Sequence, residues 1–386
     1  MSKGGRYLNT NNAKVPKKKG GRGKKTLLIV LIAIVVIAII GVAAGIMFYN
    51  SKLNLINRPE VETRNPSQEE IDAIFNYVPT DSIVVESTEA TTEPTVATTE
   101  DPTYYEEGNL GKIVNIMVVG QSSREDEVGK MSDTMMICTV NKETKTLTLT
   151  TIPRDTYVKL PNYVDSSGRK HTCGNQRINV NYALGYAWGG TLDAMGMLNQ
   201  CIYENFGVEI DHNVEIDFAS FENVVNLLGG IDIELTEAEA NHMTNDLDNV
   251  GTFTPGVNHM TGYQALQYAR IRHIDSDMAR GNRQKNVVTI ILNQLRNMSL
   301  KELNDLINQV LPMITTNMSN EDITNCIVEL LPLLPKLQVV SNQCPAEGTY
   351  SGQMIDILGD GFLSGVIVPN LQTNRELMMA ICEDND

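Results

Sequence analysis

The chain has 386 residues, with 31 Lys and Arg against 47 Asp and Glu, a net charge of −16 and 42% hydrophobic residues. These values exclude a wholly disordered, collagen-like or multi-span membrane protein, and they leave length for one large domain or two small ones around a buried core. So acidic a chain also argues against nucleic acid as a partner.

The charge is unevenly spread. Lys3, Arg6, Lys14, Lys17, Lys18, Lys19, Arg22, Lys24 and Lys25 stand in the first 25 residues with no acid among them, which leaves the remainder at −25. Residues 27–48 (LLIVLIAIVVIAIIGVAAGIMF) are uncharged and mostly branched aliphatic. As a helix such a run extends roughly 33 Å, long enough to span a bilayer. The apolar core of a cleaved signal peptide is shorter, about 7 to 15 residues. The run is therefore read as an uncleaved single-pass transmembrane helix over residues 26–48, after a cytoplasmic tail of residues 1–25. By the positive-inside rule everything beyond it lies outside the cell membrane.

Residues 49–110 hold the stretch SIVVESTEATTEPTVATTEDPTYYEEG. Its Thr and Glu content cannot offset chain entropy by burial, so the segment reads as a flexible, charged extracellular stalk. Within it, residues 65–78 (NPSQEEIDAIFNYV) predict a short helix, because Pro66 and Ser67 precede acids and then apolar residues at helical spacing. Cys138, Cys173, Cys201, Cys326, Cys344 and Cys382 all fall on the outer side of the anchor. An even number there permits up to three disulfides; one or two are expected, since Cys138 within MMICTV reads as a buried strand residue. The histidines and cysteines show no zinc-ligand spacing.

Residues 111–386 form the globular part. It opens with KIVNIMVVG, a buried strand ending at Gly120, followed by a hairpin of TMMICTV, the polar turn NKETK and TLTLTTI, which runs into Pro153-Arg154-Asp155. Residues 214–218 predict a strand, FASFENVVNLL a helix, and Gly229-Gly230 a turn into the strand IDIEL. Strands and helices alternate irregularly, which predicts a mixed sheet with helices on its faces.

The stretch from Gly262, GYQALQYARIRHIDSDMARGNRQKNVVTIILNQL, concentrates charge by two periods. Arg270 and Arg272 are two apart in a segment expected to be extended, so both would leave one face. Asp277, Arg280 and Gln284 stand at i, i+3 and i+7 of a helix and also share a face. Converging guanidinium forks suit phosphate oxygens and would bind a pyrophosphate. Surface ion pairs with Asp275 and Asp277 are the plainer alternative from residue types alone.

Taken together, NIMVVG, SDTMMICTV, TIPRDTYV, LLGGIDIEL, GYQALQYARIR and DMARGNRQ resemble the LytR-CpsA-Psr family in order and spacing over residues 112–300. The likeness continues more weakly through MITTNMSNEDI toward the C-terminus. The basic tail, anchor and stalk match that family's layout.

The resemblance implies an extracytoplasmic phosphotransferase with an α/β/α sandwich around a mixed sheet. Such an enzyme moves a glycopolymer, teichoic acid or capsule, from undecaprenyl pyrophosphate onto peptidoglycan through a phosphodiester, with the carrier lipid in an apolar pocket. It further implies that Arg154, Arg270, Arg272, Arg280 and Gln284 contact the pyrophosphate, with Arg283 beside them off the Arg280 face. Asp133 matches a carboxylate that coordinates Mg²⁺ (or Mn²⁺), Asp277 the base for the incoming hydroxyl, and Asp155 a residue that orients Arg154. The isoprenoid channel is expected between sheet and helices, lined from segments such as VVNLL and VVTIIL.

Two departures stand against the family pattern. Ser122 occupies the position where relatives place an Asp after Gly120, and Met131 replaces the Arg before SDT, with Lys130 as a substitute one step earlier. These leave an inactive lipid-pyrophosphate binder as one alternative. Another is a type II membrane glycosyltransferase, on the strength of Asp275-Ser276-Asp277 as an Asp-x-Asp motif, but that leaves TIPRD and YARIR unexplained.

Overall fold

The computed structural model describes residues 56–62, 64–76, 110–121, 130–272, 274–358 and 361–383. The basic tail, the apolar run of residues 27–48 and Ser122 lie outside them. Among the described residues no helix is long and apolar enough to cross a membrane.

Helix α1 (Gln68–Asn76) begins where the Ser67 hydroxyl accepts a hydrogen bond from the Glu70 amide, the N-cap expected after Pro66. Strand β1 (Ile113–Gln121) is followed by the expected hairpin, β2 (Ser132–Asn141) to β3 (Thr146–Ile152). Its turn is fixed by Asn141, whose side-chain oxygen accepts from the Glu143 and Thr144 amides. The short strands β4 (Tyr157–Lys159), β5 (Tyr163–Val164), β6 (Lys170–His171) and β7 (Asn175–Arg177) lead into helix α2 (Ile178–Phe206), which kinks at Gly189 and Gly190.

Next come β8 (His212–Asp217), α3 (Phe218–Leu227), β9 (Ile231–Leu235), α4 (Glu237–Asn245) and β10 (Gly256–Met260). Gly229 and Gly230 both take positive φ between α3 and β9, the conformation that requires glycine in that turn. Helices α5 (Gly262–Arg270) and α6 (Asp277–Arg296) follow, with N-caps Thr261 and Ser276. The chain closes with α7 (Leu300–Val310), β11 (Thr315–Thr316), α8 (Asn320–Leu330), β12 (Gln338–Gln343), the hairpin β13 (Tyr350–Ile355) to β14 (Ser364–Pro369), and α9 (Leu371–Cys382).

Strands β11, β8, β1, β2, β3 and β12, in that order, make one mixed sheet. The β1–β8 and β3–β12 pairs are parallel and the rest antiparallel. Strand alternation sends Met117, Val119, Met135, Ile137 and Ile152 to one face, where α2, α9 and Ile74 of α1 bury them. Met136, Cys138, Leu149 and Val118 point the other way, against Val288 and Leu292 of α6. Helices cover both faces, as expected for a mixed α/β sandwich. A further core joins α3, β9, α4, β10, α5 and α6 through Val225, Ile233, Met243, Met260, Ala265 and Val287.

Two expectations are corrected. Composition assigns residues 49–110 to a stalk, yet residues 56–76 lie against the domain: Ile56 and Ile74 are buried. Asn57 forms a bridge with Thr315, Arg58 donates to the Met318 carbonyl, and Arg169 donates to Asn65. Thr/Glu content averaged over a long window hid a short packed segment. The cysteines form no disulfide. Cys138 lies on the cavity face of β2, while Cys201 lies near Cys173 and Cys344 near Cys382, each a neighbouring pair of free thiols.

Candidate functional site

Between the sheet and the α3–α6 helices lies a cavity of about 440 Å³. Val118 and Gly120 of β1 and Met136 and Cys138 of β2 form its floor. Val287 and Val288 of α6, Leu266 of α5, Phe218 and Phe221 of α3, and His242 and Leu247 complete the wall. Of the two segments expected to line a channel, VVTIIL contributes Val287 and Val288, but VVNLL does not, because Val225 turns into the neighbouring core instead.

One end of this cavity is polar. Arg154, Arg270, Arg272, Arg280, Gln284 and Asp133 all line it, brought from β2, the end of β3, the end of α5 and the first turns of α6. Arg270 and Arg272 reach it by a route other than the expected extended segment. Arg270 is the last residue of α5, Ile271 leaves the helix at φ −54 and ψ 128, and Arg272 lies in the following turn. Ile271 is buried between them, so the helix end rather than strand alternation turns both guanidiniums the same way.

The side chains of Arg154, Arg272 and Arg280 are buried and ion-paired. Arg154 donates to Asp133 at 2.6 Å, and Arg272 donates to Asp155 at 2.9 Å. Asp277 lies 2.7 Å from Arg280 and 3.3 Å from Arg272. Asp155 thus reaches both arginines, Arg272 at 2.9 Å and, as expected from sequence, Arg154 at 3.9 Å. Arg270 stacks over the Phe218 ring at 4.9 Å. Burial opposes the charge of Arg154, but Asp133 and Asp155 outweigh it and raise its pKa. At Arg280 burial prevails, with repulsion from Arg154 and Arg272 adding to it, and the pKa falls despite Asp277.

Several buried donors here have no hydrogen-bond acceptor: Arg154 Nε and Nη2, Arg272 Nη1 and Arg280 Nε. Unsatisfied buried polar groups cost roughly 1 to 3 kcal/mol each; Asp155 Oδ1 and both Asp277 oxygens also lack hydrogen bonds beside them, and the guanidinium donors are the ones an anion in the cavity would satisfy.

The other expected site residues are placed differently. Asp277 does not line the cavity; its carboxylate is enclosed by Arg272 and Arg280 and borders a small notch with Thr151, Pro153, Met278 and Gln284. Arg283, expected among the substrate contacts, faces away and bonds Glu239, Ile271 and Asp275; at about 100° per residue it stands roughly 100° round α6 from Gln284 and about 120° from Asp277, at the edge of the cavity-facing stripe. Asp275 and Asp277 therefore pair with different arginines instead of sharing an Asp-x-Asp cation site. Lys130 lies 3.6 Å from Glu215 and over the Tyr186 ring, and does not replace the missing arginine at the cavity; Met131 is core. Missed from sequence were the wall residues Phe218, Phe221, His242 and Leu247, and Asp217, which also lines the cavity. Arg177, 3.9 Å from Asp155, was missed as well; a lone Arg before a helix gives no signal.

No group of three or more metal-ligating side chains occurs among the described residues. Asp133, with its carboxylate partly open to the cavity beside Arg154, fits a hard cation such as Mg²⁺ only in the mode where one or two carboxylates and the substrate's own phosphates supply the ligands.

A model of the LytR_cpsA_psr family matches residues 76–359. The chain belongs to the LytR-CpsA-Psr family. Among curated LytR-CpsA-Psr relatives, the polyisoprenyl-teichoic acid–peptidoglycan teichoic acid transferase TagT of Bacillus subtilis is 25% identical over 235 residues, 59% of this chain and 66% of its own. TagU of the same organism, of the same transferase name, is 31% identical over 209 residues, 53% of this chain and 60% of its own. The match spans about half to two thirds of these relatives. The crystal structure of B. subtilis TagT superposes with a TM-score of 0.53 at 22% identity, covering 72% of this chain and 92% of that one. A TagT structure with bound octaprenyl pyrophosphate gives 0.50 at 21% identity, covering 70% and 90%. These likenesses establish the common fold.

Proposed function

We propose that this LytR-CpsA-Psr protein is a phosphotransferase that moves a glycopolymer from a polyprenyl-pyrophosphate carrier, undecaprenyl in the family, onto peptidoglycan. The observation that carries the reading is the cavity itself, walled mostly by apolar side chains with arginines bearing unsatisfied donors at one end. A lipid pyrophosphate is the ligand whose tail and headgroup match those two ends. Relatives named as teichoic acid transferases, and a relative's structure with octaprenyl pyrophosphate, support the same choice.

In the proposed reaction a peptidoglycan hydroxyl attacks the phosphorus bearing the sugar. The new P–O bond joins glycopolymer and peptidoglycan as a phosphodiester, the P–O–P bond breaks, and polyprenyl phosphate leaves. Arg154, Arg272 and Arg280 would neutralise charge on the phosphoryl oxygens and the leaving phosphate, and Arg270 and Gln284 would fix the headgroup. Asp277, enclosed outside the cavity lining, would hold Arg272 and Arg280 rather than take the hydroxyl proton, which would pass to water, and Asp155 holds Arg272 in place. Asp133 would hold Mg²⁺ or Mn²⁺ arriving with the pyrophosphate, and the cation would supply further charge neutralisation.

The apolar run of residues 27–48 supports a single-pass anchor with the N-terminus in the cytoplasm, so that the cavity works at the outer face of the membrane. The deciding experiment incubates the full-length protein with a polyprenyl-pyrophosphate-linked glycan and peptidoglycan oligosaccharides. Phosphodiester product together with polyprenyl phosphate is expected. Binding of the lipid without product would leave the protein an inactive binder.

A further inference from the structure

Arg283 is 5% exposed, lies outside the cavity lining, and spends its whole guanidinium on other protein groups. Nε donates to Glu239 at 2.7 Å; Nη1 donates to the Ile271 carbonyl at 3.0 Å and to Asp275 at 3.1 Å; Nη2 also meets Asp275. Ile271 and Asp275 flank Arg272 in the turn between α5 and α6. Glu239 is a fixed post, since its second oxygen already accepts from the Thr236 amide and hydroxyl at 2.9 Å in the capping box of α4. One planar fork therefore ties both sides of the arginine-bearing turn to a helix that is itself secured.

The geometry points to Arg283 as a positioning residue: it sets the α5–α6 turn so that Arg272 reaches the headgroup end of the cavity, without touching the headgroup itself. Asp155 also holds the tip of Arg272 from the end of β3, but among the described residues of the turn the backbone's own bonds are long. Ile271 N–H reaches the Tyr268 carbonyl only at 3.3 Å and Asp275 N–H reaches the Arg272 carbonyl at 3.4 Å, both long for backbone bonds. Lysine could not take over, because a single ammonium cannot hold acceptors on two segments in the directions of a guanidinium fork. The inference rests on the proposed lipid-pyrophosphate reading of the cavity.

The test titrates the full-length protein in detergent with geranylgeranyl pyrophosphate and, separately, geranylgeraniol, which has the tail and no phosphates. Arg283→Lys is expected to weaken the pyrophosphate lipid at least tenfold and the alcohol less than threefold. Asp275→Asn should weaken the pyrophosphate lipid to a similar degree, and the double variant should lose little more than either single one, as residues acting through one contact do. Equal losses for both ligands would mean general loosening and overturn the proposal. So would unchanged or tighter pyrophosphate binding in Asp275→Asn, which is what a direct phosphate contact by Arg283, freed from its partner, predicts. Failure of the unaltered protein to prefer the pyrophosphate lipid over the alcohol would instead sink the underlying reading of the cavity.

Discussion

Arg272 donates to Asp155 at 2.9 Å, joining residues 117 positions apart and tying the turn after α5 to the end of β3. Both side chains are more than nine-tenths buried, and Asp277 approaches the same guanidinium from α6. Through this pair the two arginine-bearing segments of the sequence become one site.

Arg270→Ala and Arg272→Ala should accordingly part company. Each removes a headgroup donor and is expected to lower transfer at least a hundredfold. Arg270 is half-buried over the Phe218 ring and leaves no buried carboxylate like Asp155 behind, so its loss should cost less stability than that of Arg272. Loss of Arg272 leaves the buried Asp155 with only the 3.9 Å approaches of Arg154 and Arg177 and should cost about 3 to 5 kcal/mol in urea unfolding. Equal stability of the two variants would show that the Arg272–Asp155 pair is not structural.

Asp133 carries two duties, the hydrogen bond to Arg154 and the proposed cation. Asp133→Asn keeps an acceptor for Arg154 but removes the charge a divalent ion needs. Transfer by the unaltered protein should stop in EDTA and return with Mg²⁺, whereas the variant should respond little to added Mg²⁺. Undiminished transfer in EDTA removes the cation from the reaction.

All six thiols should be silent in the native protein. Burial pushes Cys138 up to about 12 and Cys173, Cys326 and Cys382 up to about 11, and it raises Cys201 and Cys344 further. The thiolate is the reacting form, so maleimide at pH 7 should label none of them quickly. After denaturation without reductant, six should titrate; four or fewer would mean a disulfide.

Glu239 gives an acid-side stability term. Burial raises its pKa, but bonds from the Thr236 amide, Arg283 and the Thr236 hydroxyl outweigh that and hold it below the ordinary carboxylate value. With the folded pKa depressed, the contribution is complete above the unfolded carboxylate pKa of about 4.3 and is lost as pH falls through the folded value. Thermal stability should drop more steeply below about pH 4 in the unaltered protein than in Glu239→Gln, measured by calorimetry. Parallel acid limbs would count against the clamp.

Gly262 opens α5 where a Cβ would stand 2.0 Å from the Glu222 carbonyl oxygen of α3. Gly262→Ala must push α5, and with it Leu266 and Arg270, away from α3. Overpacking of this kind costs roughly 1 to 3 kcal/mol, and lipid affinity should fall with it. An alanine variant with unchanged unfolding midpoint would show that the two helices have slack.

Sequence by itself determined the local order of this protein. A short apolar run ending at Gly120 marked β1, the polar turn NKETK marked the β2–β3 hairpin, and helical spacing put Arg280 and Gln284 on the one face of α6 that lines the cavity. The ordered blocks carried the family. Tertiary structure alone decided which charges meet. Periodicity fixes a side chain's direction about its own helix but not what stands opposite, so Arg283 and Arg280, both charged and three apart, went to a structural clamp and to a cavity. The apolar wall was likewise hidden, because Phe218, His242 and Val288 belong to different helices that only packing brings around one space. Residues 56–76 joined the domain through long-range contacts that a local composition window does not register.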